Sequence, residues 1–239
     1  VQDLRRKFIL SGHRGARALA PENTLPSFLK ALECGATGIE FDVRKTLDNI
    51  PVIIHDDEVD HLTGVKAKVS QLTFQELSKL KVHGKARIPT LREVLALAKG
   101  RLYVDIEIKV PGVEEEVVEA LRELDMVQDA IVTSFLPSTL EKIKQLDPRI
   151  EVGVLLEEWD DEYFEIAQKL GATAILPAYE IITPELAKSI KSKGYAIITW
   201  TVNETSIAQN LLSLGVDGII TDDPCSLRDI VLSGRLASK

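Results

Sequence analysis

Eight short runs rich in Val, Ile and Leu, each followed by a stretch of helical period, predict a closed parallel α/β barrel of the TIM (β/α)8 class for this chain of 239 residues. Length supports the same class, because about 240 residues is an ordinary size for eight such units. A doubly wound open sheet is the alternative, but it usually has fewer strands and leaves edges unpaired. A third observation is one break in the rhythm after the second strand, which marks an insertion.

The strands are read at 8–12 (FILSG), 38–43 (GIEFDV), 101–108 (RLYVDIEI), 130–134 (AIVTS), 151–155 (EVGVL), 174–177 (AILP), 196–201 (AIITWT) and 218–221 (GIIT). Helices follow at 24–34, 90–99, 113–124, 137–146, 161–170, 184–193, 204–214 and 224–232, most opening on a capping residue and closing near Gly or Lys. In the first of them Thr24 is the expected N-cap and Pro26 sits in the first turn, where a missing N–H costs little. About 46 residues separate Val43 from Thr90, against a usual βα connection of about 2–6. Within that stretch PVIIH reads as an extra extended segment. Thr73 with Glu76, and Thr90 with Glu93, both fit a capping box and start helices. Residues 44–89 are therefore an ordered flap within one catalytic domain spanning 1–239.

Hydrophobic residues make up 45% of the chain and aromatics only 5%, so the core must rest on Val, Ile, Leu and Ala. A formal charge of −8 argues against nucleic-acid binding, which calls for a basic stripe. The apolar stretch after Arg5–Arg6 is too short for a signal-peptide core or a membrane span, so no stable membrane insertion and a cytoplasmic location are expected. Two cysteines are compatible with a reducing compartment. Cys34 lies late in the first helix and Cys225 early in the last. Helices that all run down from one face would hold them about 15 Å apart, so no disulfide is expected.

Strand alternation turns Glu40 and Asp42 inward on the second strand, and Glu107 and Lys109 inward on the third. Three carboxylates then converge, and a cation is needed to balance them. Oxygen-only ligands suit one hard divalent ion, Mg²⁺, Ca²⁺ or Mn²⁺. The competing reading is an ion network in which Lys109, Arg14 and Arg44 neutralise these acids. His13-Arg14-Gly15 ends the first strand, on the face where barrel enzymes build their sites. His55 ends the extra segment of the flap, where its neighbour Asp56 can fix its tautomer. Two imidazoles flanking a phosphate can serve as base and acid. Singly each reads more readily as a structural histidine than a functional one, but the pair at strand ends beside the acid cluster reverses that, and His61 and His83 read as surface residues. Arg14 and Lys109 can bind phosphate or simply neutralise the carboxylates. Trp200 either walls a substrate pocket or packs in the core, where its N–H needs a partner. Pro21-Glu22-Asn23-Thr24 reads as mainly structural. The loop Thr221-Asp222-Asp223-Pro224 carries two acids, so the phosphate site many barrels place there is not supported.

Taken in order, HRG at 13–15, PENT at 21–24, ExD at 40–42, PVIIHD at 51–56, LTG at 62–64, EIK at 107–109, TWTVN at 199–203 and GVDGIITDDP at 215–224 resemble the glycerophosphodiester phosphodiesterase family over nearly the whole chain. The one departure is Asp48-Asn49, where the family often has Asp-Gly; Asn tolerates the left-handed backbone such a turn needs. The resemblance implies a TIM barrel with an insertion after the second strand. It implies a divalent metal on Glu40, Asp42 and Glu107, acid–base histidines at His13 and His55, and phosphate contacts from Arg14 and Lys109. It further implies a small-molecule substrate, a glycerophosphodiester, cleaved to glycerol 3-phosphate and an alcohol, by water or by the glycerol 2-hydroxyl as nucleophile. Two other readings are a phospholipase D-like activity on lysophospholipids, which needs an apolar entrance, and a non-catalytic barrel that only binds.

Overall fold

The structure is a computed structural model and describes residues 7–237. Arg5–Arg6 and the outermost ends of the expected 1–239 domain lie outside the described residues. In chain order the elements begin with β1 (Ile9–His13), α1 (Leu25–Glu33) and β2 (Gly38–Lys45). The insertion follows, with β3 (Pro51–Ile53), α2 (Asp60–Thr63), α3 (Phe74–Leu77), β4 (Lys81–Val82) and β5 (Ala86–Arg87). The barrel resumes with α4 (Leu91–Ala98), β6 (Tyr103–Ile108), α5 (Glu114–Glu123), β7 (Ala130–Ser134), α6 (Pro137–Leu146) and β8 (Glu151–Leu156). It ends with α7 (Glu162–Leu170), β9 (Ala174–Pro177), α8 (Pro184–Ser192), β10 (Ala196–Thr199), α9 (Thr205–Ser213), β11 (Gly218–Thr221) and α10 (Pro224–Ala237).

Strands β1, β2, β6, β7, β8, β9, β10 and β11 lie side by side in that order, all parallel, and β1 pairs with both β2 and β11. The sheet closes, as expected for a TIM barrel, and its interior strands have no free edge. Alternation sorts the side chains. Ile39, Phe41 and Val43 of β2, with Val104, Ile106 and Ile108 of β6, point out into the layer beneath the helices. The inside is filled by Ile9, Tyr103, Ile131, Leu155, Leu176 and Ile198, of which Leu155 reaches the cavity at the mouth. Glu40, Asp42, Asp105 and Glu107 occupy the intervening inward positions toward the upper end. β6 starts at Tyr103 rather than at 101 because Arg101 and Leu102 still bond back to Ala98 O, completing the last turn of α4. β10 stops at Thr199, with Trp200 reaching only an isolated bridge to Ala178.

The caps fall where the residue pattern puts them. Thr24 accepts from Ser27 N at α1, and Thr73 and Thr90 both form complete capping boxes. The insertion has an interior of its own, built from Val52, Ile54, Val59, Leu62, Val69, Leu77, Val82 and Ile88. These apolar residues thus pack on one another and hold the flap together. No described helix is long and apolar enough to cross a membrane.

The cysteine expectation is overturned: Cys34 and Cys225 form a disulfide, with Cα atoms 4.4 Å apart. The error lay in starting every helix at one height. The connection from His13 to Leu25 carries α1 beyond the strand end, where Ser27 Oγ receives Ala16 N and donates to Arg14 O. Ala31 is then level with Gly12, whose missing side chain would touch the Ala31 Cβ at 3.0 Å. Gly12 pairs with Thr221, four residues before Cys225, so the end of α1 meets the start of α10. The bridge withdraws the support that the cysteine count lent to a reducing compartment. It also links positions 191 residues apart. Cys225→Ser is therefore expected to cost about 2–5 kcal/mol by freeing the unfolded chain. Thermal unfolding of this variant, and of the parent with and without reductant, checks it; an unchanged melting temperature in both contradicts it.

Candidate active site

The upper mouth of the barrel opens into a cavity of about 280 Å³ whose lining includes His13, Arg14, Glu40, His55, Glu107, Lys109 and Trp200. Seven of the eight site residues expected from sequence therefore share one cavity. The eighth, Asp42, is buried beneath it, and one oxygen each from Glu40, Asp42 and Glu107 lie within 4.8 Å of one another. The parallel register makes this possible by setting Glu40 opposite Asp105 and Asp42 opposite Glu107 on neighbouring strands.

The cations expected to balance these acids cover them only in part. Lys109 Nζ lies 2.9 Å from Glu107 Oε1 and 3.8 Å from Asp42 Oδ1. Arg14 Nε is 3.6 Å from Asp42 Oδ2, while its Nη1 is taken by Glu22 at 2.7 Å. Arg44 turns away to donate to His55 O at 2.8 Å, so it is no part of such a network. Glu40 Oε1 and Asp42 Oδ1 are left buried with no hydrogen-bond partner. Burial, then repulsion from Asp42, Glu107 and Asp105, pushes the Glu40 carboxyl well above its ordinary range. Burial, then Glu107, also raises Asp42 despite opposition from His55, Lys109 and Arg14. Unpartnered buried carboxylate oxygens at this spacing form an all-oxygen donor set fit for a hard divalent ion.

His55 reaches the site because β2 runs on past the barrel and β3 folds back on it antiparallel, pairing Val43 with Ile53. Ile54 N then bonds Asp42 O at 3.0 Å, which fixes the next residue, His55, beside the acids. Asp56 Oδ1 is 2.6 Å from His55 Nδ1, as the tautomer argument requires. Its other oxygen lies 3.1 Å from His61 Nε2, so His61, though exposed, joins the array. His83 stays exposed in the turn between β4 and β5. Burial lowers the His55 pKa, with Arg14 and Lys109 acting the same way and Asp42 and Asp56 opposing. At β1, His13 Nδ1 lies 2.6 Å from Asp222 Oδ1 and His13 Nε2 lies 3.8 Å from Glu40 Oε2. Burial works to raise Asp222, but the bonds from His13 and Asn203 outweigh it and hold the carboxyl below its usual value. Each imidazole is thus anchored by a carboxylate at Nδ1, which leaves Nε2 for the cavity.

Several positioning residues escaped the sequence reading. The two acids of the 221–224 loop do not suit a phosphate site, and they serve another purpose. Asp222 instead orients His13, and Asn203 of the TWTVN run holds Asp222 Oδ2 at 2.9 Å. PENT is more than a helix start: Glu22 holds Arg14, and Asn23 Nδ2 donates to Asp42 Oδ2 at 3.2 Å. Acids and amides recurring beside predicted strand ends were the available signal. The HRG turn itself needs its glycine, since Gly15 has φ +86° and a Cβ there would strike Ser27. Trp200 lines the cavity and also satisfies its N–H, donating to Leu176 O at 2.9 Å.

Asp105 is a fourth buried acid in the lining, missed in the sequence; burial pushes its pKa to about 8, although Thr133 Oγ1 donates to it at 2.6 Å. Its folded pKa stands above the unfolded value of about 3.9. In metal-free protein its stabilising share is full below about pH 4 and is lost as pH rises through about 8. Asp105→Asn is expected to raise the melting temperature of metal-free protein at pH 8 by several degrees and to change it little at pH 5. Equal shifts at both pH values contradict this.

A parallel barrel whose C-terminal mouth joins a carboxylate triad to two anchored imidazoles and two cations has the parts of a barrel hydrolase. The chain matches the Glycerophosphoryl diester phosphodiesterase family over residues 13–226, and it belongs to that family. It is 36% identical to a glycerophosphodiester phosphodiesterase of Caldanaerobacter subterraneus subsp. tengcongensis, covering 95% of this chain and 99% of the relative. A glycerophosphodiester phosphodiesterase of Bacillus altitudinis is 33% identical, with 89% and 93% covered. Among solved structures, a phosphodiesterase of Oleispira antarctica in complex with the product sn-glycerol-3-phosphate superposes with a TM-score of 0.86 at 27% identity, covering 94% of this chain and 97% of that one.

Proposed function

We propose that this chain hydrolyses glycerophosphodiesters to glycerol 3-phosphate and an alcohol, using one divalent cation and the His13/His55 pair. The observation that carries the reading is the set of Glu40, Asp42 and Glu107 oxygens within 4.8 Å, two of these carboxylates keeping an unpartnered buried oxygen, between two imidazoles anchored through Nδ1. Family membership supports the reaction class, and the product held by the Oleispira relative supports the glycerol 3-phosphate half of the substrate.

Glu40, Asp42 and Glu107 would hold the cation, which would supply charge neutralisation to the phosphate and acidify a hydroxyl. Arg14 is held by Glu22 and Asp42, and Lys109 by Glu107, so both stand at the cavity wall with their positions fixed before a phosphate enters. One Nε2 takes the proton of the attacking water, or of the glycerol 2-hydroxyl, in which case a cyclic phosphate forms and a second attack, by water, opens it to glycerol 3-phosphate. The other gives a proton to the departing alkoxide oxygen, and the pair is restored when the two exchange roles or equilibrate with solvent. Asp222 and Asp56 keep each ring in one orientation through Nδ1. Trp200 walls the side of the cavity away from the acids.

The test is release of glycerol 3-phosphate from a panel of glycerophosphodiesters by purified protein. Release from at least one diester is expected. No release from any of them, with Mg²⁺, Mn²⁺ or Ca²⁺ supplied, contradicts the proposal.

A further inference from the structure

The cavity has two unlike walls. His13, Arg14, His55 and Lys109 gather on the side of β1, β2, β6 and the flap, together with the buried acids. Across the mouth, Phe135, Glu157 and Trp200 follow the ends of β7, β8 and β10. Phe135 is 41% exposed and meets the Trp200 ring edge-on, with centroids 5.9 Å apart and planes at 88°. The indole is fixed by its bond to Leu176 O, so the aromatic pair is a firm surface. Glu157 is exposed, lines the same cavity, and has no cationic partner among the described residues. It is the one ionisable lining group on that side.

A phosphodiester set against Arg14, Lys109 and the acid-bound cation directs one of its two arms toward this far wall. A neutral polyol gains little there, since the wall offers π surface and a single carboxylate. An ammonium group gains from both, because a cation within about 6 Å of a ring centroid is drawn to the π face and a carboxylate adds opposite charge. An anionic arm is repelled by Glu157. We propose that Phe135, Trp200 and Glu157 form a subsite for a positively charged alcohol moiety, so that diesters of amino alcohols are the preferred substrates. This deepens the hydrolase reading above and rests on it for the placement of the phosphate.

The test compares kcat/KM on glycerophosphocholine and on glycerophosphoglycerol for the parent, Glu157→Gln and Phe135→Ala. The parent is expected to favour the choline diester by about tenfold. Glu157→Gln is expected to raise KM for that diester by about five- to tenfold with kcat held, and to leave the glycerol diester within about twofold. Choline alone, followed by tryptophan fluorescence, reads the subsite without turnover, with quenching that weakens in both variants. Equal kinetic effects on the two diesters, or choline binding untouched by Glu157→Gln, overturn the subsite. Choline binding through Glu157 in a protein that cleaves no diester upholds the subsite and refutes the hydrolase reading instead.

Discussion

Replacing His13 with alanine is expected to lower kcat by about a hundredfold or more, with the melting temperature nearly unchanged. The imidazole lies at the cavity edge with Nδ1 anchored 2.6 Å from Asp222, so its removal deletes a proton-transfer group without opening the core. His55→Ala is expected to cause a loss of the same order through the other end of the reaction. Asp222→Asn separates orientation from chemistry: the ring remains but loses the carboxylate that fixes its tautomer, so kcat falls and its pH profile moves. Steady-state kinetics across pH check all three. Rates within a few-fold of the parent for either histidine variant remove that residue from the mechanism.

The second large effect falls on the carboxylates. Asp42→Asn is expected to lower turnover by about a thousandfold, because charge stabilisation by a bound cation is worth several kcal/mol and each 1.36 kcal/mol is a factor of ten. Its effect on stability should have the opposite sign when no metal is present. Asp42 is buried among Glu40, Glu107 and Asp105 with an unpartnered oxygen, so neutralising it relieves repulsion that the metal-free protein otherwise bears. Metal-free Asp42→Asn should thus melt at or above the metal-free parent at neutral pH, and adding Mg²⁺ or Mn²⁺ should raise only the parent substantially. A variant that melts far below the parent under both conditions shows that the acids serve as a structural ion network.

The barrel was legible because its signals are local and repeated: period-two strands, helical stretches and capping residues set nearly every element to within two residues. The acid cluster was legible for the same reason, since alternation turns Glu40 with Asp42 and Glu107 with Lys109 to one side, and parallel pairing brings the strands together. His55 was different. Its place depends on how β3 folds back on β2, a long-range pairing that periodicity does not specify, and the family resemblance supplied it. The orienting contacts of Asp222, Asn203 and Asn23 join residues 19 to 209 apart, beyond any local window, while Glu22 meets Arg14, 8 residues away, through an irregular turn that periodicity does not specify. The disulfide was misjudged because the height of α1 is set by packing of Ser27 and Ala31 on the β1 end, which helix length alone does not reveal.

In the proposed reaction Glu40, Asp42 and Glu107 hold one divalent ion on which turnover depends. The most direct measurement is titration of chelator-treated protein with Mn²⁺ or Mg²⁺ while glycerol 3-phosphate release and heat of binding are followed together. No release is expected before metal, then one ion bound per chain with release rising in step, and neither signal in Asp42→Asn. Full release by chelator-treated protein, or metal-restored activity that survives in Asp42→Asn, would contradict it.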